Sequence, residues 1–315
     1  MTKQIAFLFP GQGSQSVGML DSFKSNPSTA SLFTSTAQEA KQALGQDLAA
    51  LIEQGPAESL NLTTNTQPAM LMADVLVLRA WLAAGGAAPN LVAGHSLGEY
   101  AALVAAGVFS LSEGLGLVRI RAQAMQEAVP VGQGGMAAIL GLSDEQVQQA
   151  CQQASVNGEV AEAVNFNAPS QVVIAGSAQG VKAACEAAKA LGAKRALELP
   201  VSAPFHSSLM RPASVKLAAA LGNVKFEKPT LPVYNNIDVA VESDPARIQD
   251  ALVRQAYGPV RWVETIHAMT AAGTTLFVEC GPGKVLAGLV KRISDVPVVN
   301  IHDPESIQAA LAVAQ

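Results

Sequence analysis

The chain has 315 residues, of which 50% are hydrophobic and 14% are charged, and its formal net charge at pH 7 is −5. This length and hydrophobic content suffice for one large α/β domain, or for a main domain that carries an inserted smaller one. The acidic balance and the lack of a lysine- or arginine-rich block argue against a nucleic-acid partner.

The cysteines and the apolar segments indicate the compartment in which the protein works. Three widely spaced cysteines, Cys151, Cys185 and Cys280, fit neither a disulfide framework nor a C-x-x-C metal or redox site, so we expect buried reduced thiols. The first 15 residues lack the apolar core of a signal peptide. The apolar stretch 69–84 carries two charged residues and is too short to cross a bilayer. We therefore expect a cytoplasmic protein without a metal site or membrane association.

In chain order, strand-like runs alternate with helix-length segments, the pattern of a largely parallel sheet covered by helices. The predicted strands of this sheet are residues 4–9, 91–93, 231–235, 275–280 and 296–301. The segment between the first two strands has apolar residues on one helical face and is predicted to be a helix, residues 67–84.

The first predicted strand is followed by a glycine-containing loop, PGQGSQ, at residues 10–15. Its backbone N–H groups could point into a crevice at the edge of the sheet. A dinucleotide-binding fingerprint is disfavoured, because it would need glycine or alanine at Ser16 and an acidic residue at the end of a second strand. A Walker-type phosphate loop is excluded, since the sequence has no Gly-Lys-Ser/Thr.

Residues 94–98, GHSLG, follow the predicted strand 91–93 and precede a helical stretch at 99–106. This order of strand, turn and helix is typical of a nucleophile elbow, which exposes a serine hydroxyl where a helix N-terminus stabilises negative charge. We therefore predict that Ser96 is a nucleophile. The alternative is a tight turn in which Ser96 only caps the helix.

Two arginines lie on one predicted helix, residues 115–125. Arg119 and Arg121 are two residues apart, about 200° of rotation, so their side chains face opposite ways. Arg121 has the more apolar neighbours at three and four residues' distance. A guanidinium on that face needs an anionic partner, because a buried unpaired charge is costly. That partner is either a bound anion or an internal Asp or Glu, and the residues alone leave both possibilities open.

From about residue 132 to residue 201 the predicted order is strand, helix, strand, strand, helix and strand. The strands are residues 136–140, 160–165, 171–175 and 195–200, and the helices are residues 143–154 and 178–191. This is the order of the split βαβ, ferredoxin-like unit. Because the larger sheet resumes afterwards, we expect a small domain at residues 131–201 inserted into a core formed by residues 1–130 and 202–315.

A serine nucleophile needs a base to take its proton, and the chain has four histidines. His95 is adjacent to the serine in sequence, and its side chain should point elsewhere. His206 follows the end of a predicted strand, where ligands bind in parallel sheets, and is the preferred candidate. His267 and His302 remain alternatives.

Six segments of the chain, in order, resemble those of the malonyl-CoA:acyl carrier protein transacylase family. They are PGQGSQ near the start, GHSLGEY at the elbow, the arginine before MQEAVP, NFNAPSQVVIAG, LVRQ and GPGKVL. The resemblance runs essentially from end to end. It implies an α/β-hydrolase-like parallel-sheet core with a ferredoxin-like insert, which agrees with the organisation predicted above.

The resemblance also implies a ping-pong reaction. A malonyl group would pass from malonyl-CoA to a serine and then to the phosphopantetheine thiol of acyl carrier protein, for fatty acid or polyketide synthesis. No cofactor is implied, because the coenzyme A thioester is the substrate. The expected partners are malonyl-CoA and acyl carrier protein, and we expect a monomer.

By position, the resemblance implies that Ser96 is the nucleophile and that His206 is the general base and then the general acid. Arg121 would hold the free malonyl carboxylate with two parallel hydrogen bonds. Phe205, just before the histidine, matches the form common in malonyl users rather than the serine common in methylmalonyl users. Cys280 stands where many relatives have an aliphatic residue, and we expect it to pack in the core.

Further site residues are also implied by the resemblance. The backbone N–H groups of Gln12 and Leu97 would form the oxyanion hole. The backbone carbonyl of Gln255 would orient the histidine in place of a buried aspartate. His95 and Asn167 match positions in the pocket.

Two other functions are compatible with the same motifs. A serine thioesterase or hydrolase of acyl-CoA would use the elbow with water as acceptor, although Arg121 argues against a general esterase. A non-catalytic subunit would keep the fold and only dock the carrier protein.

An acidic carrier protein is expected to dock beside the crevice on basic residues such as Lys189, Lys194 and Arg195.

Overall fold

The computed structural model of the chain describes residues 3–314, which form two β-sheets and the helices around them. The strands are β1 (Ile5–Phe9), β2 (Leu91–Gly94), β3 (Gly134–Leu140), β4 (Ala161–Ala168), β5 (Gln171–Ser177), β6 (Arg195–Glu198), β7 (Val233–Tyr234), β8 (Leu276–Cys280) and β9 (Val298–Ile301). The α-helices are α1 (Asp21–Ser25), α2 (Ala30–Leu44), α3 (Leu48–Gln54), α4 (Ala57–Leu60), α5 (Thr63–Ala83), α6 (Gly98–Ala105), α7 (Leu111–Glu127), α8 (Asp144–Ala154), α9 (Ala178–Ala190), α10 (Arg211–Leu221), α11 (Pro245–Gln255), α12 (Trp262–Ala271), α13 (Val285–Ile293) and α14 (Pro304–Ala314).

The larger sheet has the strand order β7-β2-β1-β8-β9, and every neighbouring pair is parallel. All residues of β1, β2 and β8 are buried, as expected for strands that helices cover on both faces. The predicted α/β class with a parallel sheet is therefore confirmed. Because the strands run the same way, β1 and β2 both end at one edge of the sheet, at Phe9 and Gly94.

Helix α5 is buried around most of its circumference, and Trp81 near its end packs edge-on against Phe7 of β1, with ring centroids 5.7 Å apart. The spacing of its apolar residues predicted a single apolar face. Leu82, on that face, is 45% exposed, whereas Asp74 is fully buried. The helix therefore passes through the core instead of lying on its surface.

The smaller sheet has the strand order β4-β5-β3-β6, and every neighbouring pair is antiparallel. Its elements follow the order strand, helix, strand, strand, helix, strand along the chain. Helices α8 and α9 cover one face and form a separate apolar cluster with it. Met136, Val173 and Ala175 on the other face join the main core.

Strand β4 ties the smaller sheet to the rest of the molecule. The Phe166 N–H donates to the Val260 carbonyl at 3.0 Å, and the Val260 N–H donates to the Val164 carbonyl at 2.8 Å. These bonds set the second sheet beside the carboxyl edge of the first. A crevice lies between them.

Three predicted strands are shorter in the structure. The prediction for 231–235 corresponds only to β7, the prediction for 296–301 to β9, and the prediction for 195–200 to β6. Each of these strands lies at the edge of its sheet and pairs on one side only. Each of the three spans only the residues that pair with its single neighbour, β2, β8 or β3.

The three cysteines are buried and unpaired, as predicted. Cys280, at the end of β8, packs in the main core. Among the described helices, none combines the length and the hydrophobicity of a membrane span.

Candidate active site

A cavity of about 220 Å³ opens at the carboxyl edge of the parallel sheet, between that edge and the smaller sheet. Its polar lining includes Gln67, His95, Ser96, Arg121 and His206. Its apolar lining is formed by Met136, Val173, Leu199, Val201 and Phe205 on one side and by Val285, Leu286 and Leu289 on the other. The cavity therefore brings a few polar groups together inside apolar walls.

The turn between β2 and α6 places Ser96 in the lining of this cavity. Ser96 has a φ of 53°, in the left-handed region that most residues avoid. Glycine is required two residues before Ser96 and two residues after it. A Cβ at Gly94 would lie 1.9 Å from the Gly98 backbone, and a Cβ at Gly98 would lie 2.0 Å from the Phe9 carbonyl oxygen. The strand, the turn and the helix can approach this closely only without these side chains, and the serine hydroxyl is exposed as a result.

The hydroxyl of Ser96 meets the imidazole of His206, with Oγ 2.6 Å from Nε2. The other ring nitrogen, Nδ1, lies 2.9 Å from the Gln255 carbonyl and 3.2 Å from the Gly258 carbonyl. Carbonyl oxygens only accept hydrogen bonds, so Nδ1 carries the hydrogen and Nε2 is free to accept the proton of the serine. Two backbone carbonyls thus orient this histidine.

The protonation state of His206 follows from its surroundings. Burial, and secondly the positive charge of Arg121, lower the pKa of His206 to about 3. The imidazole is therefore neutral at physiological pH, which is the form that a general base requires.

Arg121 is 2% exposed and projects into the same cavity. Its Nη1 donates to Gln67 Oε1 at 2.7 Å, and its Nη2 donates to Gln255 Oε1 at 3.0 Å and to Ser96 Oγ at 3.2 Å. Within residues 3–314, no carboxylate lies within 4.0 Å of this guanidinium. The alternative of an internal ion pair is therefore wrong. Arg119 faces the other way, half-buried, and donates to Gln46.

The two predicted oxyanion-hole residues lie on either side of the serine. Gln12 and Leu97 both line the cavity. Across the described part of the chain, neither backbone N–H donates to a protein acceptor. The side chain of Gln12 is held separately, because its Oε1 accepts a hydrogen bond from Thr63 at 2.8 Å. Both N–H groups therefore stay available to a bound oxygen atom.

The remaining predicted residues have different positions. His95 lines the cavity, but its Nε2 lies 2.7 Å from Asn167 Oδ1 and its ring packs edge-on against Trp262. Its hydrogen bond therefore joins the elbow to strand β4. His267, exposed on α12, and His302, beyond β9, do not line the cavity. Neither can act as the base for Ser96.

Two residues that hold the elbow in place were not predicted from the sequence. The Asn236 side chain accepts from the Ser96 N–H at 2.6 Å and donates to the Gly94 carbonyl at 2.7 Å. Glu99 is 2% exposed, and its Oε2 accepts from the Asn236 N–H and from Gln255 Nε2, both at 2.9 Å. Burial raises the pKa of Glu99 to about 7. Position in the motif GHSLGEY was the only sequence signal for Glu99, and Asn236 had none.

The arrangement as a whole can perform one kind of chemistry. It combines a serine paired with a neutral imidazole, two free N–H donors and a buried cation without a carboxylate partner. Such a site can form and break an ester on Ser96, and it can bind an acyl group that carries a negative charge.

Comparisons with known proteins agree with this chemistry. The acyl transferase domain family matches residues 6–302. The malonyl CoA-acyl carrier protein transacylase of Salmonella typhimurium is 52% identical over 98% of this chain and 99% of its own. The structure of an acyl-carrier-protein S-malonyltransferase from Burkholderia pseudomallei is 60% identical and superposes with a TM-score of 0.95 over 99% of this chain and 100% of its own. A malonyl-transacylase in complex with a type II PKS acyl-carrier protein is 48% identical, with a TM-score of 0.95 over 99% of this chain and 100% of its own.

Proposed function

This chain belongs to the acyl transferase family that contains the malonyl CoA-acyl carrier protein transacylases, and we propose that it transfers malonyl from malonyl-CoA to the phosphopantetheine thiol of an acyl carrier protein. One observation carries the proposal beyond acyl transfer in general. The buried guanidinium of Arg121 lies 3.2 Å from Ser96 Oγ and has no carboxylate partner among the described residues. Malonyl differs from acetyl by one carboxylate, which is the partner this cation lacks.

In the first half-reaction, Ser96 Oγ gives its proton to His206 Nε2 and attacks the thioester carbonyl of malonyl-CoA. The negative charge that develops on the carbonyl oxygen is stabilised by the backbone N–H groups of Gln12 and Leu97. The intermediate then expels the thiolate of coenzyme A, which takes the proton from His206. A malonyl ester on Ser96 remains.

The second half-reaction reverses these steps with another thiol. The phosphopantetheine thiol of the carrier protein gives its proton to His206 Nε2 and attacks the ester carbonyl. The intermediate collapses, and Ser96 Oγ takes back the proton. Because the same imidazole acts as base and then as acid in each half, both halves need it neutral at the start. Coenzyme A enters as part of the substrate, so no cofactor is required.

Arg121 supplies the selectivity. Its two Nη atoms are held by the amide oxygens of Gln67 and Gln255, which are neutral. Acylation converts the serine hydroxyl into an ester oxygen, a poorer acceptor. The guanidinium can then bind the malonyl carboxylate in a charge-assisted pair, the geometry for which arginine is suited.

We also infer that the smaller sheet is a ferredoxin-like insertion at residues 131–201 in an α/β-hydrolase-like core. The order β4-β5-β3-β6 supports this, because the first and third strands of the unit lie in the middle and all neighbours are antiparallel. The insertion supplies most of one of the two apolar sides of the crevice. The cytoplasmic location and the monomeric state stay predictions.

The proposal is tested by intact-protein mass spectrometry after incubation with malonyl-CoA alone. We expect a stable adduct heavier by one malonyl group, and no adduct in Ser96→Ala, because the ester needs the hydroxyl. An adduct that persists in Ser96→Ala would place the acyl group on another residue. Steady release of coenzyme A without carrier protein would identify a thioesterase, and the absence of any adduct in the wild type would favour a docking subunit.

A further inference from the structure

We propose that Glu99 is a positioning residue that gives Arg121 its preference for a carboxylated acyl group, acting through the side-chain amide of Gln255. The inference rests on the function proposed above, since it takes Arg121 as the group that binds the acyl carboxylate. Glu99 lies in the first turn of α6, three residues after Ser96, and is 2% exposed. Nothing in the reaction steps uses this carboxylate.

The orientation of the Gln255 amide depends on Glu99. Glu99 Oε2 already accepts the backbone N–H of Asn236, so it is an acceptor, and the end of the amide that faces it at 2.9 Å must be the NH₂ group. The same NH₂ group donates to the Ser96 carbonyl at 3.0 Å. The amide oxygen must then face the other way, where it accepts from Arg121 Nη2 at 3.0 Å. Rotating the amide by half a turn would place its N–H donors against those of the guanidinium.

This relay also separates the negative charge of Glu99 from the guanidinium. A carboxylate in direct contact with Arg121 would occupy the N–H groups that the substrate needs. Here a neutral amide lies between Glu99 and Arg121, and a second neutral amide, that of Gln67, holds the other Nη atom. The incoming malonyl carboxylate therefore meets a fixed guanidinium with no competing anion on it.

Glu99 has a second contact, which allows its two effects to be separated. Its Oε2 also accepts the Asn236 N–H at 2.9 Å, and the side chain of Asn236 holds the backbone of the elbow at Ser96 and Gly94. Weakening this contact disturbs the nucleophile and should slow every acyl donor alike. Weakening the contact with Gln255 disturbs Arg121 and should slow malonyl transfer more than acetyl transfer.

The experiment measures acyl-enzyme formation from malonyl-CoA and from acetyl-CoA and compares the two specificity constants as a ratio. Both constants are measured on the same sample, so the fraction of protein that is folded cancels from their ratio. In Glu99→Ala we expect the malonyl-to-acetyl ratio to fall roughly tenfold, the size of one lost charge-assisted hydrogen bond. Glu99→Gln keeps an oxygen acceptor for both donors and should restore most of the ratio. Asn236→Ala, the matched control, should lower both rates and leave the ratio unchanged.

A second variant tests the relay from its other side. Gln255→Leu keeps the backbone carbonyl that orients His206 but removes the amide, so it should reduce the ratio as Glu99→Ala does. If both rates fall equally in Glu99→Ala, or if Gln255→Leu keeps the wild-type ratio, Glu99 supports only the elbow and the proposal is wrong. If the wild type itself forms no malonyl adduct on Ser96, the proposed function fails first, and the two failures are thereby distinguished.

Discussion

The two sides of the crevice hold their side chains by different means. On the side of the parallel sheet, Ser96 and His206 both have left-handed backbone conformations, with φ of 53° and 67°, and hydrogen bonds fix both of them. On the side of the smaller sheet, Met136, Val173 and Leu199 present apolar surface that packing keeps in place. Strained backbone persists only where its surroundings hold it, and it concentrates at functional sites. The difference indicates that the parallel-sheet side performs the chemistry and that the other side shapes the space in which the acyl group lies.

The largest effect should come from the imidazole on the parallel-sheet side. His206→Ala removes the group that accepts and returns the proton in both half-reactions, so both should slow by roughly 10²- to 10⁴-fold. The measurement is the rate of malonyl-enzyme formation and, separately, the rate of transfer to the carrier thiol. His267→Ala, which changes an exposed histidine outside the cavity, serves as the control. Loss of activity in that control and not in His206→Ala would contradict the assignment.

The next effect concerns the cation, and it should depend on the substrate. Truncating one member of a buried charge pair costs about 2–5 kcal/mol, so Arg121→Ala should lower the malonyl specificity constant by roughly 30- to several-thousand-fold. Acetyl transfer should hold steady or improve, because acetyl has no carboxylate to lose. Arg121→Lys should recover only part of the malonyl activity, since an ammonium cannot form the two-pronged pair. Arg119→Ala is the matched control on the opposite face of α7, and loss of malonyl selectivity there instead would refute the assignment.

The pH dependence tests the electrostatics of the same side. A base with the ordinary histidine pKa of about 6.5 would lose roughly tenfold in rate between pH 7.5 and pH 5.5. Burial and Arg121 lower the pKa of His206 to about 3, so its neutral form should persist through this range. With acetyl-CoA as donor, we therefore expect little loss in the rate of acyl-enzyme formation down to pH 5.5. In Arg121→Ala one cause of the lowering is gone, so the fall in rate should begin at a higher pH. Glu99, whose pKa is about 7, also titrates in this range, so Glu99→Gln is the control. A rate that halves near pH 6.5 in both the wild type and Glu99→Gln would show that the imidazole is not buried as described.

The sequence predicted the parts of the fold that have a local pattern. The buried strands of the parallel sheet stand out as short apolar runs between helices, and β1, β2 and β8 were found within one residue of their ends. The predicted length of the edge strand β7 was too great, because its length depends on pairing with a neighbour that the local pattern does not reveal. Helix α5 was given one apolar face because periodicity cannot show that a helix passes through the core.

The residues of the site can be divided in the same way, into those with a local sequence signal and those without one. Ser96 follows from a local motif, and the burial of Arg121 follows from its neighbours on the helix. His206 was one of three candidates until the resemblance to a family was considered. The roles of Glu99 and Asn236 could not be predicted, because Asn236 meets the elbow across 140 residues of sequence and Glu99 meets Gln255 across 156. Contacts of this kind depend on how segments that are distant in sequence pack together.

The smallest effect should come from substitutions of basic residues on the smaller-sheet side. It should change the binding of the carrier protein only, which is the second substrate. Lys194 and Arg195 are exposed beside each other where β6 begins, and neither forms an ion pair with a described residue. Lys189 is instead paired with Glu186 at 2.8 Å. If an acidic carrier protein docks here, unpaired cations should contribute more than a paired one, because they have no partner to give up.

Lys194→Ala and Arg195→Ala should therefore each raise the Michaelis constant for the carrier protein by a few-fold, on the order of the 0.2–1 kcal/mol that exposed charge pairs contribute. Lys189→Ala, the matched control on the same domain, should change it less. Added salt should raise the wild-type Michaelis constant for the carrier protein, since exposed charges are screened within about 10 Å at 0.1 M. It should therefore also reduce the difference in this constant between the wild type and the Lys194→Ala and Arg195→Ala variants. The constant for malonyl-CoA in the first half-reaction should stay the same, because its carboxylate is bound by the buried Arg121. If Lys194→Ala and Arg195→Ala raise the Michaelis constants for malonyl-CoA and for the carrier protein equally, these cations attract anions in general and do not dock the carrier. The smaller-sheet side would then have no separate role in binding the carrier.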